Sequence, residues 1–370
     1  MRNQRGFALL AVMLVMALLG IVITEFAFSM RLEASMVRSY KKSVLGGYLA
    51  EAAIQQAFLE VLGPGDIHAL DEKGDLIFLR IPPGGTQPTP LPSFPRVRVP
   101  LGPGAFTYRI TDEESRLNLN SAGADRVDRL LTALGIEKRD RDVINDSLQD
   151  WKDTDNLSRP NGAESDDYYL KLPLPYRARN GQMQDVRELL QIRGITREVY
   201  AGDGKRPGLV DVATVVGRDT VNINTAPVPV LKAIGLSDAE VTDIVQSRVR
   251  TPYADVPGRF TGKGLTVGSS TFRIEADGLL ADQPRARVVA IVQRRAEVPS
   301  SRPATPGQSG QPGQPAPTQP GAATPPAAPA SPGGGGKPGA QAPGQPSSQS
   351  QASTSDLGVV ILSWRVVPAP

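Results

Sequence analysis

The first thirty residues constrain this chain most, because a short basic leader runs directly into an apolar segment of membrane-spanning length. The segment begins at Phe7 and ends at Met30, and its only charged residue is Glu25. A bilayer core of about 30 Å needs about 20 helical residues, so the sequence predicts a membrane anchor here. Arg2 and Arg5 precede it and favour a cytoplasmic N-terminus. Further cations follow the segment closely and weaken that signal. They are Arg31, Arg38, Lys41 and Lys42.

The Gly6-Phe7 junction resembles the cleavage site of type III signal peptides in type IV pilins and type II secretion pseudopilins. In those proteins a prepilin peptidase cuts after the glycine and methylates the new N-terminus, and the apolar helix is retained. The resemblance implies a leader at residues 1–6, cleavage between Gly6 and Phe7, and N-methylation of Phe7. The alternative is an ordinary secretory signal cut near Ala27, but the apolar run exceeds the usual core of about 7 to 15 residues.

Ala11 occupies a position at which most major pilins carry a glutamate, five residues into the mature chain. That glutamate is thought to pair with the N-terminal amine of a neighbouring subunit. Glu25 lies about four turns further along and cannot replace it. A missing carboxylate is characteristic of minor pseudopilin K, the subunit thought to occupy the tip of the pseudopilus.

Apolar residues continue at helical spacing beyond the membrane segment, so the first helix is expected to extend into a head domain until Gly63-Pro64-Gly65 ends it. Its predicted apolar face consists of Leu45, Tyr48, Leu49, Ala52 and Leu59. Strand-like runs follow at residues 76–81, 96–101, 106–110, 271–276 and 287–295. The apolar run after Gly358 predicts a last strand that returns to the sheet.

The stretch from 112 to 256 is helical in pattern and contains an internal repeat. Residues 118–122 read Asn-Leu-Asn-Ser-Ala and residues 222–226 read Asn-Ile-Asn-Thr-Ala, with Ser121 and Thr225 predicted to cap the following helices. The helix-like runs end at glycines flanked by apolar residues, which predicts helix-hairpin-helix units. These glycines are Gly135, Gly194 and Gly235.

The predicted fold class is α+β: a pilin-like long N-terminal helix and an antiparallel sheet, with an inserted all-helical domain of helix-hairpin-helix (SAM-like) repeats. The expected division of the chain is leader 1–6, helix 7–62, head 63–111 and 257–297, helical insertion 112–256, disordered Pro/Gly/Gln/Ser-rich loop 298–356, and C-terminal strand 357–370. The loop composition offers almost no large apolar side chain to bury.

Acidic residues cluster on a loop after the predicted helix that contains Trp151. They are Asp150, Asp153, Asp155 and Glu164. Asp153, Asp155 and Glu164 have the offsets of positions 1, 3 and 12 in an EF-hand, but the glycine at position 6 and ligands at 5 and 7 are missing. Clustered carboxylates favour a hard cation, and Ca²⁺ is the expected occupant. The alternative is a solvated acidic loop.

The same stretch resembles the minor pseudopilin K family of type II secretion. The motifs are Asp150-Trp151, Gly162-Ala163-Glu164, Tyr168-Tyr169, Pro175-Tyr176 and the terminal Leu362 to Arg365. The resemblance implies a helical domain inserted in a pilin-like head, a structural Ca²⁺, and an inner-membrane protein with its bulk in the periplasm. Its implied partners are other minor pseudopilins in a tip complex, the inner-membrane assembly platform and the prepilin peptidase.

A second function class, membrane-anchored DNA binding or DNA uptake through the hairpins, remains open at this point. Each hairpin lacks the second glycine of the DNA-binding turn, and the net charge of +3 is small, so no nucleic acid is expected as a partner. His68 is the single histidine and is predicted to lie in a surface turn. The sequence shows neither a catalytic nucleophile with a general base to activate it nor a phosphate-binding loop, so an enzyme is not expected.

Overall fold

The computed structural model describes residues 4–295 and 358–367. The α-helices are α1 (Gln4–Val61), α2 (Ala124–Ala133), α3 (Lys138–Lys152), α4 (Arg197–Ala201), α5 (Leu209–Val212), α6 (Val228–Ala233) and α7 (Asp238–Arg250). The strands are β1 (Ile67–Leu70), β2 (Leu76–Arg80), β3 (Thr89–Pro90), β4 (Val99–Leu101), β5 (Gly104–Asp112), β6 (Leu117–Asn118), β7 (Ala213–Thr214), β8 (Val221–Asn222), β9 (Leu265–Thr266), β10 (Thr271–Leu280), β11 (Gln283–Arg294) and β12 (Val359–Val367). The low-complexity segment expected at 298–356 lies outside the described residues.

Helix α1 has 58 residues and is therefore about 87 Å long at 1.5 Å per residue. Within the described chain it is the one helix long and apolar enough to cross a membrane. Residues 7–44 are exposed, and burial begins at Leu45 and Gly46, where the helix meets the head. It ends at Val61, immediately before the predicted Gly63-Pro64 stop.

The buried face of α1 differs from the predicted one. Tyr48 and Leu59 are 65% and 59% exposed, so the prediction that both face the core is wrong. The buried residues repeat at steps of one and three along the helix, and three of the seven are alanines. The seven are Leu49, Ala50, Ala53, Ile54, Ala57, Phe58 and Val61. Small side chains allow the helix backbone to approach the sheet closely, which a search for large apolar residues overlooks.

The head contains a five-stranded antiparallel sheet in the order β12, β11, β10, β5, β4. One face of it packs against α1 through buried residues including Tyr108, Ile274, Ala290 and Val292. The expected C-terminal strand corresponds to β12, which pairs with β11 from Val359 to Val367. A smaller sheet of β1, β2 and β3 lies beside it.

Strands β10 and β11 are longer than the sequence predicts because the turn between them is atypical. Ala281 and Asp282 join the strands directly, and both have positive φ, +51° and +59°. Such two-residue turns are usually marked by Asn-Gly or Asp-Gly. Without that signal the predicted runs ended at residue 276 and began again at residue 287.

The helical part of the chain enters after β5 and returns to the sheet at β10. Helices α2 and α3 are joined through Gly135 (φ +73°), and α6 and α7 through Gly235 (φ +87°). The third predicted hairpin begins with a 3₁₀ helix, Val186–Gln191, and continues through Gly194 into α4. One apolar cluster unites these elements and includes Phe260, which lies beyond the expected boundary at residue 256.

The predicted helix caps Ser121 and Thr225 are wrong by two residues, since α2 and α6 are preceded by Gly123 and Pro227. Each repeat instead forms a turn in which the first asparagine accepts a hydrogen bond from the amide of the second. The Oδ1 to N distance is 3.0 Å for Asn118 with Asn120 and 3.0 Å for Asn222 with Asn224. This extra turn separates the Ser or Thr from the helix start.

The two repeats are also held in the same way by the helix that follows. Lys152 of α3 donates to the carbonyls of Leu119 and Ala122, at 2.8 and 2.6 Å. Arg248 of α7 donates to the carbonyls of Ile223 and Ala226, at 2.9 and 2.7 Å. In both repeats, therefore, a basic side chain of the following helix holds the turn by hydrogen bonds to two of its carbonyl groups.

Candidate metal centre

The acidic loop begins where α3 ends. Asp153 is the residue after the last turn of the helix, and its amide donates to the Gln149 carbonyl at 3.0 Å. Asp155 forms a turn in which its Oδ1 accepts from the Leu157 amide at 2.8 Å. Glu164 begins the next turn, and its amide donates to Asp167 Oδ1 at 2.9 Å. The backbone thus brings three carboxylates from a twelve-residue span towards one point.

Carboxylate oxygens of Asp153, Asp155 and Glu164 lie within 4.8 Å of one another. Glu164 is 2% exposed, Asp153 is partly buried and Asp155 is exposed. Asp153 Oδ1 and Glu164 Oε1 are buried without a hydrogen-bond partner among the described residues. Two orphaned buried oxygens beside a third carboxylate leave an unmet need for positive charge or a donor.

The electrostatics of the group are consistent with that need. Burial, reinforced by the negative charges of Asp150, Asp153 and Asp155, raises the pKa of Glu164 to about 7. Burial and the neighbouring Asp155 also raise the pKa of Asp153. Arg159 is the nearby cation, and its Nη2 lies 3.9 Å from Asp153 Oδ2. One peripheral guanidinium does not neutralise three converging carboxylates.

Asp150 was included in the predicted ligand set, and the structure does not bring it into this group. Its carboxylate accepts hydrogen bonds from the Arg159 amide at 3.1 and 3.3 Å and forms an ion pair with the Arg159 side chain at 3.3 Å. The side chain is fully buried beneath Gly162, where a β-carbon would come within 1.9 Å of Asp150 Oδ2. Asp150 therefore holds the loop in shape.

The donor set is oxygen-only, which suits hard cations and not zinc. The group is not an EF-hand, because Leu157 stands at position 5, where a ligand is needed, and Ser158 stands at position 6, where an EF-hand has glycine. The residues present nevertheless fit Ca²⁺, which accepts carboxylates in irregular geometry. Asp153, Asp155 and Glu164 are the residues that would hold it.

A cluster of aromatic side chains lies next to the loop and is called the aromatic wall. It consists of Trp151, Tyr168 and Tyr169. Trp151 and Tyr169 are fully buried and meet edge to face, with ring centroids 5.3 Å apart. Arg193 links the wall to the loop, because it lies over the Tyr168 ring and its Nη1 donates to the Gly162 carbonyl at 2.8 Å. The paired tyrosines and the Asp-Trp motif thus have structural roles next to the carboxylates.

A buried polar junction where the sheet meets the helical part was missed from sequence. Asp112 at the end of β5 is buried and accepts from Asn222, Thr225 and Ser269 at 3.0, 2.6 and 2.7 Å. Burial raises the pKa of Asp112 to about 6. The repeated Asn-x-Asn sequence, followed by Ser121 or Thr225, was a signal for the turn, but nothing in it identified a carboxylate more than a hundred residues away.

His68 also belongs to this junction, so the prediction of a surface turn is wrong. It is fully buried in β1, where its Nδ1 accepts from the Ser269 amide at 2.8 Å and its ring contacts Phe78 and Phe272. Burial, with Arg294 nearby, lowers the pKa of His68 to about 3. The histidine is therefore neutral at physiological pH and serves as a core residue.

The hairpin turns offer little to a phosphate. The amides of Gly135 and Ile136 donate to the carbonyls of Thr132 and Leu131, at 2.9 and 3.1 Å. The corresponding amides at Gly235 and Leu236 donate to Lys232 and Leu231, at 3.0 and 3.4 Å. A DNA-binding hairpin uses such amides to contact phosphate, whereas these close their own helices.

Two family models match the chain. The model of the prokaryotic N-terminal methylation motif matches residues 1–24, and that of type II secretion system protein K matches residues 110–202. Together with the long apolar first helix, the first match defines a class: membrane-anchored periplasmic proteins that carry this methylation motif, the class of pilins and pseudopilins.

The relatives specify the family. Type II secretion system protein K of Pectobacterium carotovorum subsp. carotovorum is 32% identical over 281 residues, covering 69% of this chain and 78% of the relative. The protein K of Pseudomonas aeruginosa is 29% identical over 321 residues, covering 79% of this chain and 90% of the relative. The chain belongs to the type II secretion system protein K family and is a minor pseudopilin. This confirms the predicted resemblance to minor pseudopilin K, and the DNA-binding alternative is not supported.

A solved structure, the crystal structure of the GspK-GspI-GspJ complex from the type 2 secretion system of enterotoxigenic Escherichia coli, is also similar. It has 18% sequence identity and a TM-score of 0.49, covering 71% of this chain and 95% of the matched chain.

Proposed function

We propose that this chain is the tip subunit of a periplasmic pseudopilus, anchored in the inner membrane and assembled with other minor pseudopilins to support protein export. The observation that carries this proposal is Ala11 in a chain of the protein K family. Without a carboxylate at position 11 the subunit has nothing there to pair with the N-terminal amine of a neighbour above it, and Glu25 lies too far along the helix to replace it. An unpaired carboxylate at position 11 would be costly in the membrane. The role is structural and not catalytic.

Processing is part of this proposal. Gly6 and Phe7 both lie within α1, so the cut would leave the membrane helix on the mature chain. Prepilin peptidase would cleave between them and methylate the Phe7 amine. The inner-membrane assembly platform would then receive the mature subunit. The match to the N-terminal methylation motif over residues 1–24 supports this step.

The head would combine two parts with separate cores, a pilin-like sheet packed on α1 and an inserted helical domain. We assign the paired helices around Gly135 and Gly235 as helix-hairpin-helix units with a scaffold role, since their turn amides bond internally. Ca²⁺ bound by Asp153, Asp155 and Glu164 would stabilise the acidic loop of that domain.

The decisive experiment is co-purification of the full chain from membranes with the other minor pseudopilins of its secretion system. A stable complex containing the chain, with an intact mass that begins at methylated Phe7, is expected. Gly6→Leu should retain the leader and fail to assemble. A mature terminus near Met30, or a processed chain that never associates with the other minor pseudopilins, would overturn the proposal.

A further inference from the structure

Residues 31–44 form a free stretch of α1 between the membrane segment and the head. Every residue in it is exposed, and the helix first becomes buried at Gly46. At 1.5 Å per residue this stretch is about 21 Å long. It carries a set of cations on the side of the membrane where the positive-inside rule disfavours them. They are Arg31, Arg38, Lys41 and Lys42.

These cations are not distributed evenly around the helix. At 3.6 residues per turn, Arg38 and Lys42 lie within about 20° of Arg31 around the axis, and Lys41 borders them at about 80°. Glu33 lies about 160° from Arg31 and leaves this basic face uncompensated. The opposite side is mostly apolar, with Leu32, Met36 and Tyr40 at 53%, 58% and 73% exposure, and Glu33 is its charged residue.

The membrane segment is longer than the bilayer needs, which makes tilting favourable. From Phe7 to Met30 the helix is about 36 Å long, against a hydrocarbon core of about 30 Å. A long apolar helix tilts to bury its full length, and basic anchors help to set the direction of tilt. Tilting towards the basic face lowers Arg38 and Lys42 to the headgroups, within reach of their flexible side chains.

We propose that the basic face formed by Arg31, Arg38 and Lys42, bordered by Lys41, binds anionic phospholipid headgroups of the periplasmic leaflet and fixes the direction in which α1 tilts. Charge complementarity and direct continuity with the membrane segment identify the phosphate surface as the partner. The opposite, mostly apolar side of the helix then faces away from the bilayer, where neighbouring subunits can reach it. This inference depends on the membrane anchorage in the proposed function, and the test separates the two.

The chain has no cysteine, so single labels can be placed without background. Ser35→Cys lies on the basic side, about 40° from Arg31, whereas Met36→Cys lies at nearly the same height about 140° away. Each full-length variant is labelled with a fluorophore and reconstituted into nanodiscs of phosphatidylcholine alone or of an equimolar mixture with phosphatidylglycerol. Quenching by acrylamide, which is uncharged, reports the exposure of each label.

The label at residue 35 should be protected from acrylamide only in discs that contain phosphatidylglycerol, and high salt should remove the protection. The label at residue 36 should remain exposed in both. Combining Arg31→Gln, Arg38→Gln and Lys42→Gln should abolish the protection of the label at residue 35. Each substitution should lower the affinity for headgroups about fivefold. Lys73→Gln, Arg80→Gln and Arg139→Gln, at exposed cations of the head, form the control and should change nothing.

Equal protection in both lipids would overturn the proposal, as would equal protection of the two labels. Protection that depends on adding another minor pseudopilin, and not on lipid charge, would identify the basic face as a protein interface and would also overturn it. The amount of each variant recovered in the nanodiscs measures membrane anchorage separately. If a protein inserts normally but the protection of its label at residue 35 does not depend on lipid charge, only this inference is contradicted, and the proposed function is not.

Discussion

Gly46 of α1 and Gly278 of β10 lie so close together that a β-carbon on Gly278 would come within 1.9 Å of the Gly46 carbonyl oxygen. A β-carbon on Gly46 would in turn lie 2.6 Å from the β-carbon of Arg285 on the neighbouring strand. This is where the helix first becomes buried against the head. The contact therefore helps to set how the head is attached to its anchor.

Gly278→Ala should lower the free energy of unfolding of the head by about 3 kcal/mol, since the new methyl group meets backbone that cannot move aside. Gly47→Ala is the matched control, because a β-carbon at Gly47 has no neighbour within 4 Å. That change should stabilise the helix by up to about 1 kcal/mol. Thermal unfolding of the two variants measures both effects, and equal melting temperatures would disprove the close crossing.

The Glu164 carboxyl should make the metal-free protein less stable as pH rises. Its pKa is raised from 4.5 to about 7 in the folded state. The folded state therefore binds more protons between these values, so the free energy of unfolding falls as pH increases through this window, by at most about 3 kcal/mol. Glu164→Gln should flatten the profile. The free energy of unfolding is measured in the presence of a chelator between pH 4.5 and pH 7. If wild type and Glu164→Gln show the same dependence on pH, the pKa of the Glu164 carboxyl is not raised.

Calcium should stabilise the head through Asp153, Asp155 and Glu164. By mass action the gain is about 2.7 kcal/mol at 100 times the dissociation constant. Binding must displace the Glu164 proton, so calcium affinity should increase as pH rises through about 7. Melting temperatures with calcium and with chelator test this. Asp153→Ala combined with Glu164→Ala should abolish the difference, and a wild-type protein indifferent to calcium would refute the site.

Asp150 should prove to be a loop-holding residue and not a ligand. Asp150→Asn keeps an acceptor for the Arg159 amide, so calcium affinity should change much less than in Asp153→Asn. Gly162→Ala should be more damaging, because its methyl group would collide with the Asp150 carboxylate. Gly181→Ala meets only one atom, at 3.9 Å, and is the control. Calorimetric titration with calcium distinguishes these variants.

The sequence predicted features whose signals are local. The end of α1 follows from Gly63-Pro64, and the acidic loop follows from closely spaced carboxylates. Features that depend on distant partners were missed. Nothing near Asp112 indicates that Asn222 and Ser269 will enclose it.

Close backbone contacts were missed for a related reason. A glycine in a helix gives no local sign that a strand will cross it, as at Gly46. Similarly, His68 lies beside a Gly/Pro turn in the sequence and was therefore predicted to be exposed. In the structure it lies in β1, which pairs with β2, and its side chain is buried. Burial of such residues is decided by tertiary packing, which a single sequence does not encode locally.

The C-terminal strand should be essential to the head, and the segment that precedes it dispensable. Val359 is fully buried and Trp364 packs against the α1 core, while β12 covers the edge of β11 over nine residues. The ends of the intervening segment are already adjacent, because the Arg295 amide donates to the Gly358 carbonyl at 2.8 Å. A short linker can therefore close the gap.

Replacing residues 303–350 with a short Gly/Ser linker should change stability by less than about 1 kcal/mol, because the cost of closing a loop depends only logarithmically on its length. Truncation after Leu357 should instead expose the apolar edge of β11 and cause aggregation or rapid proteolysis. The two variants are compared by solubility and by limited proteolysis of the head. If the truncated protein resists protease as well as the full-length chain, β12 does not stabilise the sheet, and the assignment of residues 358–367 to the head fails.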